Sequence, residues 1–294
     1  MKHICTSILL LFSILIVNSK SYSQDEFPVL EGPYLGQKPP GPIPEAFAPG
    51  IVTTEHYEYS GVFTPDMKEF YFIRGDEENK KQEFVVFKNK NNRWHESVIS
   101  PRVGQPFIAP DGKTMHLGRR YMERTETGWS ERKSLGSPFE DIRIMRLTAS
   151  SNGTYYFDTY VEDEEDFPIR YSRLIDGEYE EPKILSEEIN TGTQLNHPFI
   201  APDESYLIWD AKRDGGYGDS DLYISYRQQD GSWGEAINLG DKINSAAWDA
   251  AAHVTPDGKY LFFQRLISSG SDDTLPNVDI YWVDAQFIEK LRQN

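Results

Sequence analysis

The pentapeptide FIAPD stands at residues 107–111 and again at 199–203, and VTPDGK at 254–259 is a near copy. Each copy makes physical sense as a hairpin: a short apolar strand, a proline that presets φ and gives the ladder no donor, an aspartate that caps the turn, and often a glycine that accepts positive φ. The strand that follows is aromatic or β-branched, as in EFYFI (69–73) and YLFF (260–263). Aligned on Pro-Asp, the chain gives SGVFTPDMKEFYFIR (60–74), QPFIAPDGKTMHLGR (105–119), HPFIAPDESYLIWDA (197–211) and AAHVTPDGKYLFFQR (251–265), with a degenerate copy, LTASSNGTYYFDTYV (147–161). With Pro65, Pro110, Ser151, Pro202 and Pro256 as markers, the spacings are 45, 41, 51 and 54 residues. A period of 40–50 residues with strand-like content predicts the blades of an all-β propeller, with about four strands each.

A second marker follows each of the first four hairpins: Asn91-Asn92 before Trp94, Thr127-Gly128 before Trp129, Asp176-Gly177 before Tyr179, and Asp230-Gly231 before Trp233. Asp-Gly between β-rich runs is a strong hairpin signal, and the aromatic residue after it is expected to pack between blades. The stretch 43–66 aligns with 233–257, so the N-terminal segment has the form of an outermost strand without its inner three. The last copy has the complementary defect, because after DIYWV (279–283) the chain ends in 285–292 with no outer strand. One strand from the N-terminus would complete the last sheet and remove two exposed edges. The expectation is a five-bladed β-propeller closed by an N-terminal outer strand; the short second repeat, around 115–129, leaves six blades as the alternative. Phe287, Ile288 and Leu291 have helical spacing and predict a short docked terminal helix.

These hairpins, with DAKRDGGYGDSDLYISY (210–226) and DIYWVDA (279–285), resemble the WD40-like Pro-Asp repeat of TolB-like propellers, from about Pro44 to Ala285. The resemblance implies an exported bacterial propeller and is weak for activity, since that family includes scaffolds as well as peptidase-associated propellers. Residues 1–23 read as a cleavable signal peptide: a basic start at Lys2, the apolar run ILLLFSILIV (8–17), and small residues at Ser21 and Ser23. Ten apolar residues are too few to span a bilayer, which takes about 20. Residues 24–42 form an N-terminal extension and 43–294 one propeller domain. Cys5 is the only cysteine and leaves with the signal, which suits a disulfide-free periplasmic or secreted protein. The net charge of −17 disfavours nucleic acid and anionic lipid. Nothing predicts membrane insertion, and the expected state is a monomer.

Candidate site residues come from counting back along each inner strand. Eight residues before the marker lie Tyr57 and Trp248, and seven before it lie Glu58 and Asp249. His197 and His253 fall five and three before it, with the same parity, and are expected to face the same way. With the acidic loops 162–166 (EDEED), 214–221 and 271–273, they predict an acidic channel mouth suited to a cation, a basic peptide or a sugar stacked on Tyr57 and Trp248. The bland alternative has Glu58 and Asp249 tying down backbone N–H groups. No cofactor is implied: the GGYGDSD segment departs from the calcium-repeat pattern and occurs once, and no zinc motif is present. The function expected is a non-catalytic binding or scaffold module for an envelope protein or glycan. A carbohydrate-active enzyme, either a glycoside hydrolase working through Glu58 and Asp249 or a polysaccharide lyase with a histidine base, is the alternative.

Overall fold

The computed structural model describes residues 30–160 and 168–293; the expected leader and the acidic run 162–166 lie outside the described residues. Strand β1 is Glu45–Ala46. Blade 1 follows as β2 Glu58–Phe63, β3 Glu69–Gly75, β4 Gln82–Lys90 and β5 Arg93–Pro101; blade 2 is β6 Pro106–Ile108, β7 Thr114–Leu117, β8 Arg120–Glu123 and β9 Lys133–Ser134. Blade 3 holds β10 Ile144–Ala149, β11 Tyr155–Thr159 and β12 Arg170–Ser172, then a small hairpin of β13 Leu174–Ile175 and β14 Glu178–Tyr179, and ends in β15 Lys183–Ile184. Blade 4 is β16 Thr193–Ile200, β17 Tyr206–Lys212, β18 Asp221–Tyr226 and β19 Ile237–Asn238; β20 Asp249–Val254, β21 Tyr260–Ser268 and β22 Asn277–Asp284 begin blade 5, and α1 Gln286–Arg292 ends the chain. Each blade is an antiparallel four-stranded sheet, so the protein is a five-bladed β-propeller. The second blade is compressed but complete. Its β7 and β8 are joined through Gly118, whose φ of 68° is open to glycine at no steric cost.

The ring closes as the sequence predicted. β1 pairs antiparallel with β22 through Glu45 opposite Trp282 and Ala46 opposite Tyr281, and the Phe47 N–H donates to the Ile280 carbonyl at 2.8 Å. Phe47 is fully buried at this seam, within 5.1 Å (ring centroids) of Phe70 in blade 1, 4.9 Å of Phe262 and 5.1 Å of Trp282 in blade 5. The extension adds to the same seam: Tyr34 and Leu35 are buried there, and the Tyr34 hydroxyl donates to Asp257.

The markers behave as their chemistry requires. Asp176 and Gly177 both take positive φ in the β13–β14 turn. The Trp129 indole donates to the Tyr71 hydroxyl of the preceding blade at 2.9 Å, and Trp233 packs edge-on to Tyr156 of its preceding blade. Tyr179 instead stacks on Tyr155 of its own blade, and Trp94 receives the N-terminal extension, donating to the Gly32 carbonyl at 2.7 Å. The terminal helix docks through Ile288, whose carbonyl accepts the Tyr226 hydroxyl.

Truncating Phe47 to alanine removes an aromatic ring held by two blades at once. It is expected to cost about 3–5 kcal/mol in urea unfolding; a loss below about 1 kcal/mol would show that the seam is not where the ring is held.

Candidate binding site at the inlet face

The chain runs into each inner strand on one face of the ring, here the inlet face, and leaves it through the Pro-Asp turn on the other, the turn face. Tyr57 and Trp248 sit at equivalent inlets. Each is tied to the preceding blade by a parallel bridge, Tyr57 to Val278 and Trp248 to Ser220, and each presents a half-buried ring. Between them lies buried Tyr59, stacked on Tyr57 at 5.7 Å and on Trp248 at 6.1 Å, the latter pair only 11° from parallel.

Glu58 and Asp249 are fully buried and engaged. Glu58 accepts the Thr54 hydroxyl at 2.6 Å and the Thr54 N–H at 3.1 Å. Asp249 accepts the Ser245 N–H at 2.6 Å, the Ser245 hydroxyl at 2.8 Å and the Arg265 guanidinium at 2.6 Å. Asp221 repeats the device in blade 4, accepting the Tyr217 and Gly218 N–H groups. That turn needs a glycine at 218, where a Cβ would meet the Ala247 carbonyl at 2.3 Å. The GGYGDSD segment is thus a capped turn, and both sequence-selected carboxylates fasten the chain as it enters a blade.

The two histidines do not share a mouth. In β2, β10, β16 and β20 the register slips midway, and Ser60, His197 and Ala251 carry φ of 56°, 51° and 50° at the bulge. The bulge adds a residue without a partner, so parity counted across it fails. His197 sits in the bulge, whereas His253 lies beyond it, near the turn face, against Phe199 and Phe262.

His197 belongs to a buried chain that the sequence search missed. Its Nδ1 lies 2.9 Å from Asp210, which fixes the N–H there and leaves Nε2 to accept the Tyr59 hydroxyl at 2.9 Å. Asp158 accepts the N–H groups of Arg146 and His197 at 2.7 and 2.8 Å, and Asp210 accepts that of Ala251 at 2.8 Å. Two buried carboxylates therefore hold the main chain at the bulges. The available signal was an aspartate inside an otherwise apolar second strand, in YYFDT and LIWDA. Beside the Tyr57 inlet opens an acidic depression of about 680 Å³ lined by Glu55, His56, Arg74, Asp76, Glu77 and Glu83.

No family model and no curated protein matches the chain. Solved structures similar to it include TolB from Acinetobacter baumannii, at 13% identity and a TM-score of 0.47 over 78% of this chain and 57% of that one. A putative TolB from Agrobacterium tumefaciens is similar at 15% and 0.46, covering 79% of this chain and 78% of that one. An alpha-L-arabinofuranosidase from Lactobacillus brevis is similar at 11% and 0.46, covering 79% and 91%. The likeness is one of fold, with TolB-like propellers and enzymes both among the neighbours, and this chain spans little more than half of the first.

Burial, reinforced weakly by Asp279 and opposed by the Thr54 bonds, pushes Glu58 up to about 7 from 4.5. The folded state then holds a proton that the unfolded chain releases, so this group's contribution falls as pH rises from about 4.5 to about 7. His116 and His253, pushed down to about 3 by burial, act in the opposite sense below 6.5. The difference between Glu58→Gln and the parent isolates the carboxylate. The variant is expected to gain roughly 2 kcal/mol relative to the parent between pH 5 and 7.5, and a pH-independent difference would contradict a raised Glu58. Asp210→Ala, which orphans His197 Nδ1 and the Ala251 N–H, is expected to cost roughly 2–6 kcal/mol in denaturant unfolding.

Proposed function

We infer that the protein is an exported, non-catalytic propeller that binds an envelope protein or glycan through its inlet face. One observation carries this reading: the carboxylates Glu58 and Asp249 and the imidazole of His197 are engaged by neighbouring groups of the chain, while the rings of Tyr57 and Trp248 stay partly open. Glu58 is held by Thr54, Asp249 by Ser245 and Arg265, and His197 by Asp210 and Tyr59. What the face offers a ligand is two flat apolar surfaces next to an acidic depression. Such a surface suits a sugar ring, or an aromatic and basic peptide segment; aromatic residues at the centre of an interface carry a large share of binding energy.

The His197–Asp210 contact favours one other reading, an enzyme with an oriented imidazole base. It demands that Tyr59 leave Nε2, because that nitrogen is already bonded and the histidine is buried.

Screening a glycan panel and a set of basic peptides tests both. Trp248→Ala and Tyr57→Ala are each expected to weaken the ligand found about tenfold with the fold intact. Undiminished affinity in both variants would remove the inlet face from the account. Turnover of any glycan by the parent chain, abolished by His197→Ala, would replace the binding reading with the enzymatic one.

A further inference from the structure

Blades 1 and 2 hold a carboxylate between them in a way that blades 3 and 4 leave unfinished. Glu69 opens β3 and accepts the Arg124 guanidinium at two points, 2.6 and 3.1 Å. It also accepts the Tyr71 hydroxyl at 2.7 Å and lies 3.2 Å from the Lys88 ammonium. Arg124 is stacked over the Trp129 ring at 5.0 Å. Against the cost of burial, these donors pull the Glu69 carboxyl down to about 2.

The junction of blades 3 and 4 repeats these parts without the carboxylate. Arg227 stands where Arg124 does: each follows the third strand of its blade and donates its N–H to a carbonyl just after the Pro-Asp turn, Ser205 at 2.9 Å and Lys113 at 2.7 Å. Arg227 lies over Trp233 at 4.9 Å, and Trp233 meets Tyr156 edge-on at 6.2 Å, as Trp129 meets Tyr71 at 6.3 Å. Thr154 takes the place of Glu69, because the Thr64 N–H donates to the Glu69 carbonyl and the Ser150 N–H to that of Thr154. Arg173, at the Lys88 position, is taken up by Glu180 at 2.7 Å, and the Tyr156 hydroxyl turns to Glu204 at 3.2 Å. The Arg227 guanidinium is exposed and has no ion-pair or hydrogen-bond partner among the described residues.

A groove of about 530 Å³ opens at this junction, lined by Arg227, Trp233, Tyr171, Ile184, Glu188 and Glu204 among others. We propose that it binds a small carboxylic acid with a flat, mainly apolar body, whose carboxylate takes Arg227 as Glu69 takes Arg124. A guanidinium matches a carboxylate through two parallel bonds, and such charge-assisted bonds are roughly twice as strong as neutral ones. Ile184, 54% exposed, and Tyr171 offer the body an apolar wall. Glu188 and Glu204 limit the charge: Arg227 balances one carboxylate, and a dianion would meet two like charges. The net charge of −17 is spread over the whole chain and is screened beyond about 8 Å at physiological salt. The groove stands independently of the inlet-face function.

The test uses the chain from residue 24 onward, titrated with benzoate and, as the uncharged match, benzamide. Benzoate is expected to bind one-to-one with a dissociation constant of about 1 mM or lower and to shift the Arg227 side-chain nitrogen signals. Benzamide should bind about tenfold more weakly, and Arg227→Gln should weaken benzoate by about the same factor with melting unchanged. Thr154→Glu supplies the carboxylate from the chain itself and should abolish benzoate binding in a protein that still melts cooperatively. Should that variant fail to fold, Arg227→Gln and the benzamide comparison decide. Three results would each overturn the proposal: no saturable binding of benzoate, equal affinity for the two probes, or benzoate binding that either folded variant leaves intact.

Discussion

One strand pairing governs this molecule. A propeller blade leaves both faces of its sheet apolar, and only a closed ring covers all of them. Closure here rests on β1, two residues long, and on Phe47 immediately after it. The ring of Phe47 is shared by Phe63 and Phe70 on one side and by Phe262 and Trp282 on the other. Because β1 comes from the start of the domain and β22 from its end, the first and last blades cannot separate without breaking main-chain bonds as well as aromatic contacts. Tyr34 and Leu35 thicken the same seam, so the extension is part of the closure.

Four of the five inner strands carry a bulge: β2, β10, β16 and β20. A residue other than glycine at φ near +50° carries strain of order 1–3 kcal/mol. At His197 and Ala251 that strain sits beside a main-chain N–H held by a buried carboxylate from the preceding blade. Each carboxylate ties two blades together, and the Tyr59–His197–Asp210 chain spans the ring from blade 1 to blade 4. The polar interior of the ring is thus chiefly structural. What the ring leaves partly open are the Tyr57 and Trp248 rings on the inlet face and the cavity rimmed by the repeat turns on the other.

Much of this was legible in the sequence, and what was not has a definite physical reason. Pro-Asp turns are local, so the hairpins could be found from residues adjacent in the chain. The closing strand could be found because residues 43–66 repeat the pattern of 233–257. Glu58 and Asp249 stand at the inlet, each as the first residue of its inner strand, and the bland role considered for them matches their bonds to Thr54 and Ser245. The bulges could not be seen, since an inserted residue leaves no composition signal in a strand as plain as DAAAHV. Parity therefore misplaced His253 beside His197. Asp158 and Asp210 were on view as charges within apolar strands, but their partners are backbone N–H groups on other strands, which no sequence pattern marks. The prolines were understood as turn formers. That five of these turns would converge to rim one cavity is a property of the closed ring.

Amide hydrogen exchange of the Phe47 N–H measures the closure most directly. The N–H is bonded to the Ile280 carbonyl in the one pairing that joins the two ends of the domain. The account predicts that it exchanges as slowly as the amides in the middle of β21 and β22, because it opens only when the whole ring opens. Exchange at the rate of an unstructured peptide, with β21 and β22 still protected, would mean that the ring stands without its leading strand.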